Sequence, residues 1–270
     1  TLLRRLMEYL SMGNFEVPGD DALQVVVAAH PGCDVTWLAL QPHKALVVSD
    51  ISATGRVKYH GYEAGAYISF ILQHYDSLPQ KMAFVHCHRE AWEINDEAAI
   101  LQSLDPHSYD FAPLTKKWAV DLPDPDMNPT RVHMREIFGH KVPFTGGFPT
   151  GRFNFSFAAG AAFLVDRERV LKRGREMWQK IYDWLQLDED SDVAKRKAMS
   201  LEFTWHMLLG EPAEMLPPDP ARLCPSDPKV CAHQPFLDAT HVDVPSWRLE
   251  WYWHHTKGHA KPARDSSAGV

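Results

Sequence analysis

The chain has 270 residues, 45% of them hydrophobic, which is enough to bury one large core. Its formal net charge is -7 with His neutral, and no Lys/Arg run forms a stripe suited to a phosphate backbone, which excludes nucleic acid as the main partner. No stretch reaches the roughly 18 consecutive apolar residues of a membrane span.

In chain order, residues 1–22 read as an arm. Leu2, Leu3, Leu6, Met7 and Leu10 share one side of a short amphipathic helix that Gly13 ends. The sequence starts at Thr1, so a membrane is expected to enter only through an anchoring segment missing from the N-terminus. "LQVVVAAH" (23–30) is a continuous β-branched run, the pattern of a strand covered on both faces. "KALVVSD" (44–50) repeats it and ends in Asp50. "GYEAGAYISFILQHYDSLP" carries Ala64, Tyr67, Ile68, Ile71, Leu72 and Tyr75 at helical spacing before Pro79 stops it. "KMAFVHCH" (81–88) is then a third strand.

Strand, strand, helix, strand predicts an α/β fold with a largely parallel, Rossmann-like sheet flanked by helices. Ligands bind such sheets beyond the carboxyl ends of the strands, and these three strands end in His30, Asp50 and the His86/His88 pair.

From about 105 to 155 the chain is rich in Pro, Asp, Gly and aromatics, which predicts long loops with a short helix near "RVHMREIFG". "GGFPTGRFNF" lacks the spacing of a phosphate loop, and a lid carrying Arg152 suits it better. "AAGAAFLVDRERV" reads as a strand entering a long helix that aligns Val170, Met177, Trp178, Ile181 and Leu185. "MSLEFTWHMLLGE" (199–211) is the last core helix. The domain is expected to span 23–224, followed by an irregular extension, 225–270, rich in Pro, Trp and His. Cys224 and Cys231 suit a local disulfide if the compartment is oxidising, whereas Cys33 and Cys87 are expected to stay unpaired, Cys87 as a small buried hydrophobe.

Four blocks in order, "VVVAAHPGCDVTWL", "YHGYEAGAYISFILQHYDSLPQKMAFVHCHREAW", "GAAFLVDRERVLKRGREMWQKIYDWL" and "SLEFTWHMLLGEP", resemble the DUF3431 family over roughly residues 24–224. The resemblance implies a GT-A-like fold, that of glycosyltransferases using nucleotide-sugar donors. It also implies a glycan or glycoprotein acceptor and the secretory pathway, with the Golgi lumen foremost, while a cytoplasmic location stays open. In GT-A enzymes an Asp-x-Asp motif holds a divalent metal against the donor pyrophosphate, and here the matching place reads His86-Cys87-His88. Imidazoles favour transition metals, so Zn²⁺ or Mn²⁺ is the expected cation. The family's "HR-x-WH" is also altered, because Glu93 follows Trp92 where the last His would stand. Two family cysteines are replaced by Ala158 and Ala159.

His86 and His88 are two apart on a strand, which predicts that both point to one face as metal ligands. Glu90, Glu93 and Asp96 lie within reach of that strand end. Glu202 and His206 are spaced i,i+4 among apolar neighbours. His206 is a candidate third ligand, and Glu202 and Glu93 are candidate general bases. Arg89 is a candidate diphosphate clamp and Asp50 a candidate acceptor of a ribose or sugar hydroxyl. The plainer alternatives are one His packed against the sheet and the other facing solvent, Glu202 and His206 as partners of each other, a surface ion pair of Arg89 with Glu90 or Glu93, and a turn begun by Asp50. Two further functions stay open from the same residues: a metal-dependent hydrolase using the His-x-His cluster, and a non-catalytic carbohydrate-binding protein, for which Trp247, Trp251 and Trp253 would be stacking platforms.

Overall fold

The computed structural model describes residues 22–30, 32–48, 62–120, 156–158, 160–186, 191–202, 204–212 and 215–236. The expected N-terminal helix, Asp50, the loops and short helix between 121 and 155, Arg152, Ala159 and the Trp/His-rich end lie outside the described residues.

The main sheet holds β1 (Leu23–Ala28), β2 (Lys44–Val48), β3 (Lys81–His86), β4 (Phe111–Pro113) and β7 (Phe163–Asp166), in the order β2-β1-β3-β7-β4. A smaller sheet holds β5 (Lys117–Val120), β6 (Ser156–Ala158) and β8 (Gln234–Phe236) in the order β6-β5-β8. The helices are α1 (Tyr62–Gln73), α2 (Glu97–Ser103), α3 (Arg167–Leu171), α4 (Arg175–Gln186), α5 (Ser191–Glu202), α6 (Trp205–Leu208) and α7 (Pro220–Leu223).

The main sheet is mixed, which corrects the expectation of a largely parallel one. β2, β1 and β3 are parallel, but β7 runs antiparallel to both β3 and β4. The cause is the route of the chain. It leaves β4 directly into the small sheet and returns to β7 only four residues after β6, too short a link for a crossover helix, so β7 runs back down the sheet. A partly buried Lys81–Asp166 ion pair joins the first residue of β3 to the last of β7, which are partners in the ladder.

The long helix expected after β7 is two helices, α3 and α4, with Gly174 between them. The expected 199–211 helix is likewise divided, into the end of α5 and the single turn α6.

β1 is buried along its whole length, Gln24 included. Val26, Ala28, Met82, Phe84, Phe163 and Val165 face a core built with α1, α4, α5 and α6, where Tyr67, Trp178 and Leu201 are completely buried. Leu23, Val25, Val27, Ala83, Val85 and Leu164 face the opposite core, closed by Trp37, Leu38, α2 and the Cys224–Cys231 disulfide. Burying each large apolar side chain contributes about 1.5–3 kcal/mol, which is why both layers are needed to hold so short a sheet.

The link from β1 to β2, with Trp37 and Leu38, therefore packs on one face, and the α1 link into β3 packs on the other. The carboxyl ends of β1 and β3 flank the point where the strand order reverses, the usual ligand position in open α/β sheets.

Candidate functional site

Two groups of side chains gather at the carboxyl end of β3, one on each face. On the α1 side, His86 continues the parity of Met82 and Phe84 and is itself buried. Its Nδ1 lies 3.7 Å from Oε1 of Glu63, in the first turn of α1, and its Nε2 lies 3.9 Å from Oε1 of Glu93. Both separations are too long for a hydrogen bond.

Glu93 sits in a tight loop closed by the Ala91–Ile94 bridge and is 5% exposed. Its backbone carbonyl accepts from the Lys116 amide at 2.7 Å. Gly160, with φ of 125°, passes so close that a Cβ there would lie 3.0 Å from Glu93 Cγ and 2.7 Å from Thr115 Cγ2. Only glycine suits that approach and that backbone.

Glu97 is fully buried in the first turn of α2, whose amino end is capped by Asp96 accepting from the Ala99 amide at 3.2 Å. Burial pushes its carboxyl well above the ordinary value of 4.5, and the neighbouring Glu93 carboxylate pushes it further; the His86 backbone amide acts in the opposite sense. Tyr67, in the middle of α1, has its phenol raised first by burial and then by Glu63, Glu97, Glu202 and Glu93. Four carboxylates thus act on one hydroxyl. Tyr67 Oη, His86 Nε2 and Glu93 Oε2 are buried without a hydrogen-bond partner among the described residues. Buried polar atoms are rarely left so, and their concentration at one strand end makes this the candidate site.

Glu202 ends α5 and His206 lies in α6, so the single helix expected to carry both at i,i+4 is divided between them. They line a narrow cleft with Phe111, Gly160, Phe163 and Trp205. Gly160 backs onto Glu93, so this cleft and the His86 cluster share a wall.

His88 does not join His86. β3 ends at His86, and beyond it His88 turns to the other group: its Nδ1 lies 3.8 Å from Cys33 Sγ and its ring centroid 5.4 Å from that of His30. The expectation that both imidazoles share a face fails because strand alternation stops with the strand.

Cys33 and Cys87 form a disulfide, which corrects their reading as unpaired thiols. The ladder explains it. Ala28 of β1 pairs with His86 of β3, so the residues just beyond both strands are neighbours, and the turn at Gly32, with φ of 86°, brings Cys33 back against Cys87.

Arg89 is exposed and grips Asp96 in a two-pronged ion pair at 3.0 and 2.6 Å. Its partner is thus Asp96 rather than Glu90 or Glu93. With His88, Glu90, Asp34 and Trp37 it lines an open cleft of about 520 Å³.

Glu63, Glu97 and Tyr67 belong to these groups and were not singled out as site residues by the sequence, whereas His30 was read only as a strand end facing the ligand position. Glu63 resembled an ordinary first-turn carboxylate, and Tyr67 stood in the apolar stripe of α1. Glu97 did leave a signal, since it shares a helix with buried Ala98, Ile100 and Leu101.

Among the described residues no helix is long and apolar enough to cross a membrane. No curated protein and no solved structure matches the chain. The model of one family, described as "Protein of unknown function (DUF3431)", matches residues 25–232, a span that includes both groups at the end of β3. The chain belongs to the DUF3431 family.

Proposed function

We propose that the protein is a glycosyltransferase that moves a sugar from a nucleotide-sugar donor to a hydroxyl acceptor on a glycan or glycoprotein. The observation that carries this reading is the convergence of Glu63, His86, Glu93, Glu97 and Tyr67 at the carboxyl end of β3, beside the reversal of strand order.

Glu93 is the base. Its carboxylate lies 3.9 Å from His86, with Gly160 between it and the cleft of Glu202 and His206, and in the transfer step it would take the proton of the acceptor hydroxyl, a contribution of about 10²–10⁴ in rate. Glu97, whose raised carboxyl favours the protonated form, serves as a hydrogen-bond donor rather than a second base. Glu202 and His206 line the adjoining cleft, where they would orient the acceptor. Arg89, in the open cleft on the other side, would meet the donor diphosphate after exchanging it for Asp96.

The donor set suits Mn²⁺ or Zn²⁺, because it joins the His86 imidazole to a carboxylate. With Glu93 kept free as the base, the pair that would hold a cation is His86 Nδ1 with Glu63, 3.7 Å apart. When bound, such a cation would offset charge on the departing diphosphate. Two disulfides support an oxidising compartment, and we place the protein in the secretory pathway, in the Golgi lumen.

Thermal shifts against nucleotide-sugars and nucleoside diphosphates, with and without Mn²⁺ or Zn²⁺, test the reading. A donor at 100 times its Kd should stabilise the fold by about 2.7 kcal/mol. No stabilisation by any nucleotide would contradict it.

A further inference from the structure

His30, Cys33, Cys87 and His88 each offer one ligand atom, and the four atoms all lie within 4.8 Å of one another. Nothing in the sugar-transfer reading uses them as a group. The set is two sulfurs and two imidazoles, the donor combination of closed tetrahedral zinc sites. Their placement follows from the sheet, since His30 and His88 each stand two residues beyond the paired Ala28 and His86. Local bonds hold the positions: the Trp37 indole donates to the Cys87 carbonyl at 2.7 Å, and the Cys33 amide donates to the His30 carbonyl at 3.1 Å.

We propose that this disulfide is one of two states of the site, and that the reduced chain binds one Zn²⁺ through His30, Cys33, Cys87 and His88. Zn–S bonds of about 2.3 Å and Zn–N bonds of about 2.1 Å place tetrahedral ligands about 3.4–3.8 Å apart. Cys33 Sγ already lies 3.8 Å from His88 Nδ1. The two sulfurs need only move apart, by about 1 Å each, once their bond is broken.

The chemistry balances with a dithiol as reductant. One of its thiolates attacks Cys33, which is half-buried and flanked by exposed histidines, whereas Cys87 is 2% exposed. The mixed disulfide resolves to an oxidised dithiol, with two electrons and two protons delivered to Cys33 and Cys87. Zn²⁺ then displaces both thiol protons, so two thiolates offset its charge and two neutral imidazoles complete the shell. The other disulfide, Cys224–Cys231, has both residues buried, at 0% and 3% exposure, and among the described residues it joins no such group of ligating side chains.

The test uses the full chain carrying Cys224→Ser and Cys231→Ser, so that only one cysteine pair remains. After reduction by a phosphine, which does not compete for the metal as a dithiol would, Zn²⁺ is titrated and counted per chain, and Co²⁺ is used to read the ligand field. One equivalent is expected for the reduced chain and none for the oxidised chain, with Co²⁺ giving the intense visible bands of a tetrahedral site with thiolate ligands. Adding His30→Ala and His88→Ala should weaken binding at least 100-fold while the disulfide still re-forms under oxidant. Equal metal in both redox states, or tight binding that survives loss of the two histidines, would overturn the proposal. If the serine background does not fold, the same four readings on the wild-type chain and its His30→Ala/His88→Ala variant decide the matter.

Discussion

Glu97 is a carboxyl with no exposed surface, placed between Glu93 and Asp96 in a helix that otherwise buries alanine, isoleucine and leucine. Its raised pKa means that the folded chain holds the proton more tightly than the unfolded one. Stability from this group is therefore full below about pH 4.5 and falls as pH rises through that value toward the folded-state pKa. Glu97→Gln removes the slope, so the variant should gain on wild type in urea midpoint between pH 4.5 and pH 8. His233 has the opposite sign. Burial lowers it to about 4 from an ordinary 6.5, so stability is full above 6.5 and is lost as pH falls toward 4. His233→Gln should flatten that acid limb by up to about 3 kcal/mol. Gly160→Ala is expected to lower stability by about 1–3 kcal/mol, because it forces a left-handed backbone on alanine and drives its Cβ into Thr115 and Glu93. At this scale the sequence showed the chemistry better than the geometry. His86 and Glu93 were visible as titratable groups at the end of an apolar run. Glu63 and Tyr67 were not, because a first-turn carboxylate and a stripe tyrosine are ordinary until a folded neighbour faces them.

The two disulfides are clips of unequal length, with sequence separations of 54 and 7. On the loop-closure estimate the long clip is worth about 4 kcal/mol and the short one about 2.5 kcal/mol. Cys33→Ser/Cys87→Ser should therefore lower the denaturation midpoint more than Cys224→Ser/Cys231→Ser does. Roughly equal losses would show that loop closure is not what the long clip supplies. On the α1 face, Trp178 of α4 is fully buried and its indole donates to the Val170 carbonyl at 3.1 Å, tying α4 to α3. Trp178→Ala should cost about 3–5 kcal/mol by chemical denaturation. The core strands β1, β2, β3 and β7 and the helix α1 were legible because their apolar runs and stripes are long. The direction of β7 was not, since "FLVD" reads equally well up or down the sheet and only the route through the small sheet decides it. The Cys33–Cys87 bond was hidden for a similar reason: it depends on which strands are neighbours, and 54 residues separate its ends.

In the whole molecule, both groups of chemically active side chains stand at one end of the main sheet, where β1 and β3 part, and they divide between its faces. The acidic group around His86 lies on the α1 face beside the cleft of Glu202 and His206, and the sulfur and imidazole group lies on the other beside the cleft of Arg89. On the proposed reading the acceptor would lie in the cleft of Glu202 and His206, with Glu93 behind Gly160 in its wall. The most direct measurement is release of nucleoside diphosphate from nucleotide-sugars, compared between wild type and Glu93→Gln with acceptor glycans present. Turnover of at least one donor by wild type, with about a 10²–10⁴-fold slower rate in Glu93→Gln and unchanged stabilisation by the nucleotide, is the expected result. No turnover of any donor by wild type, or equal rates in the two proteins, would contradict the account.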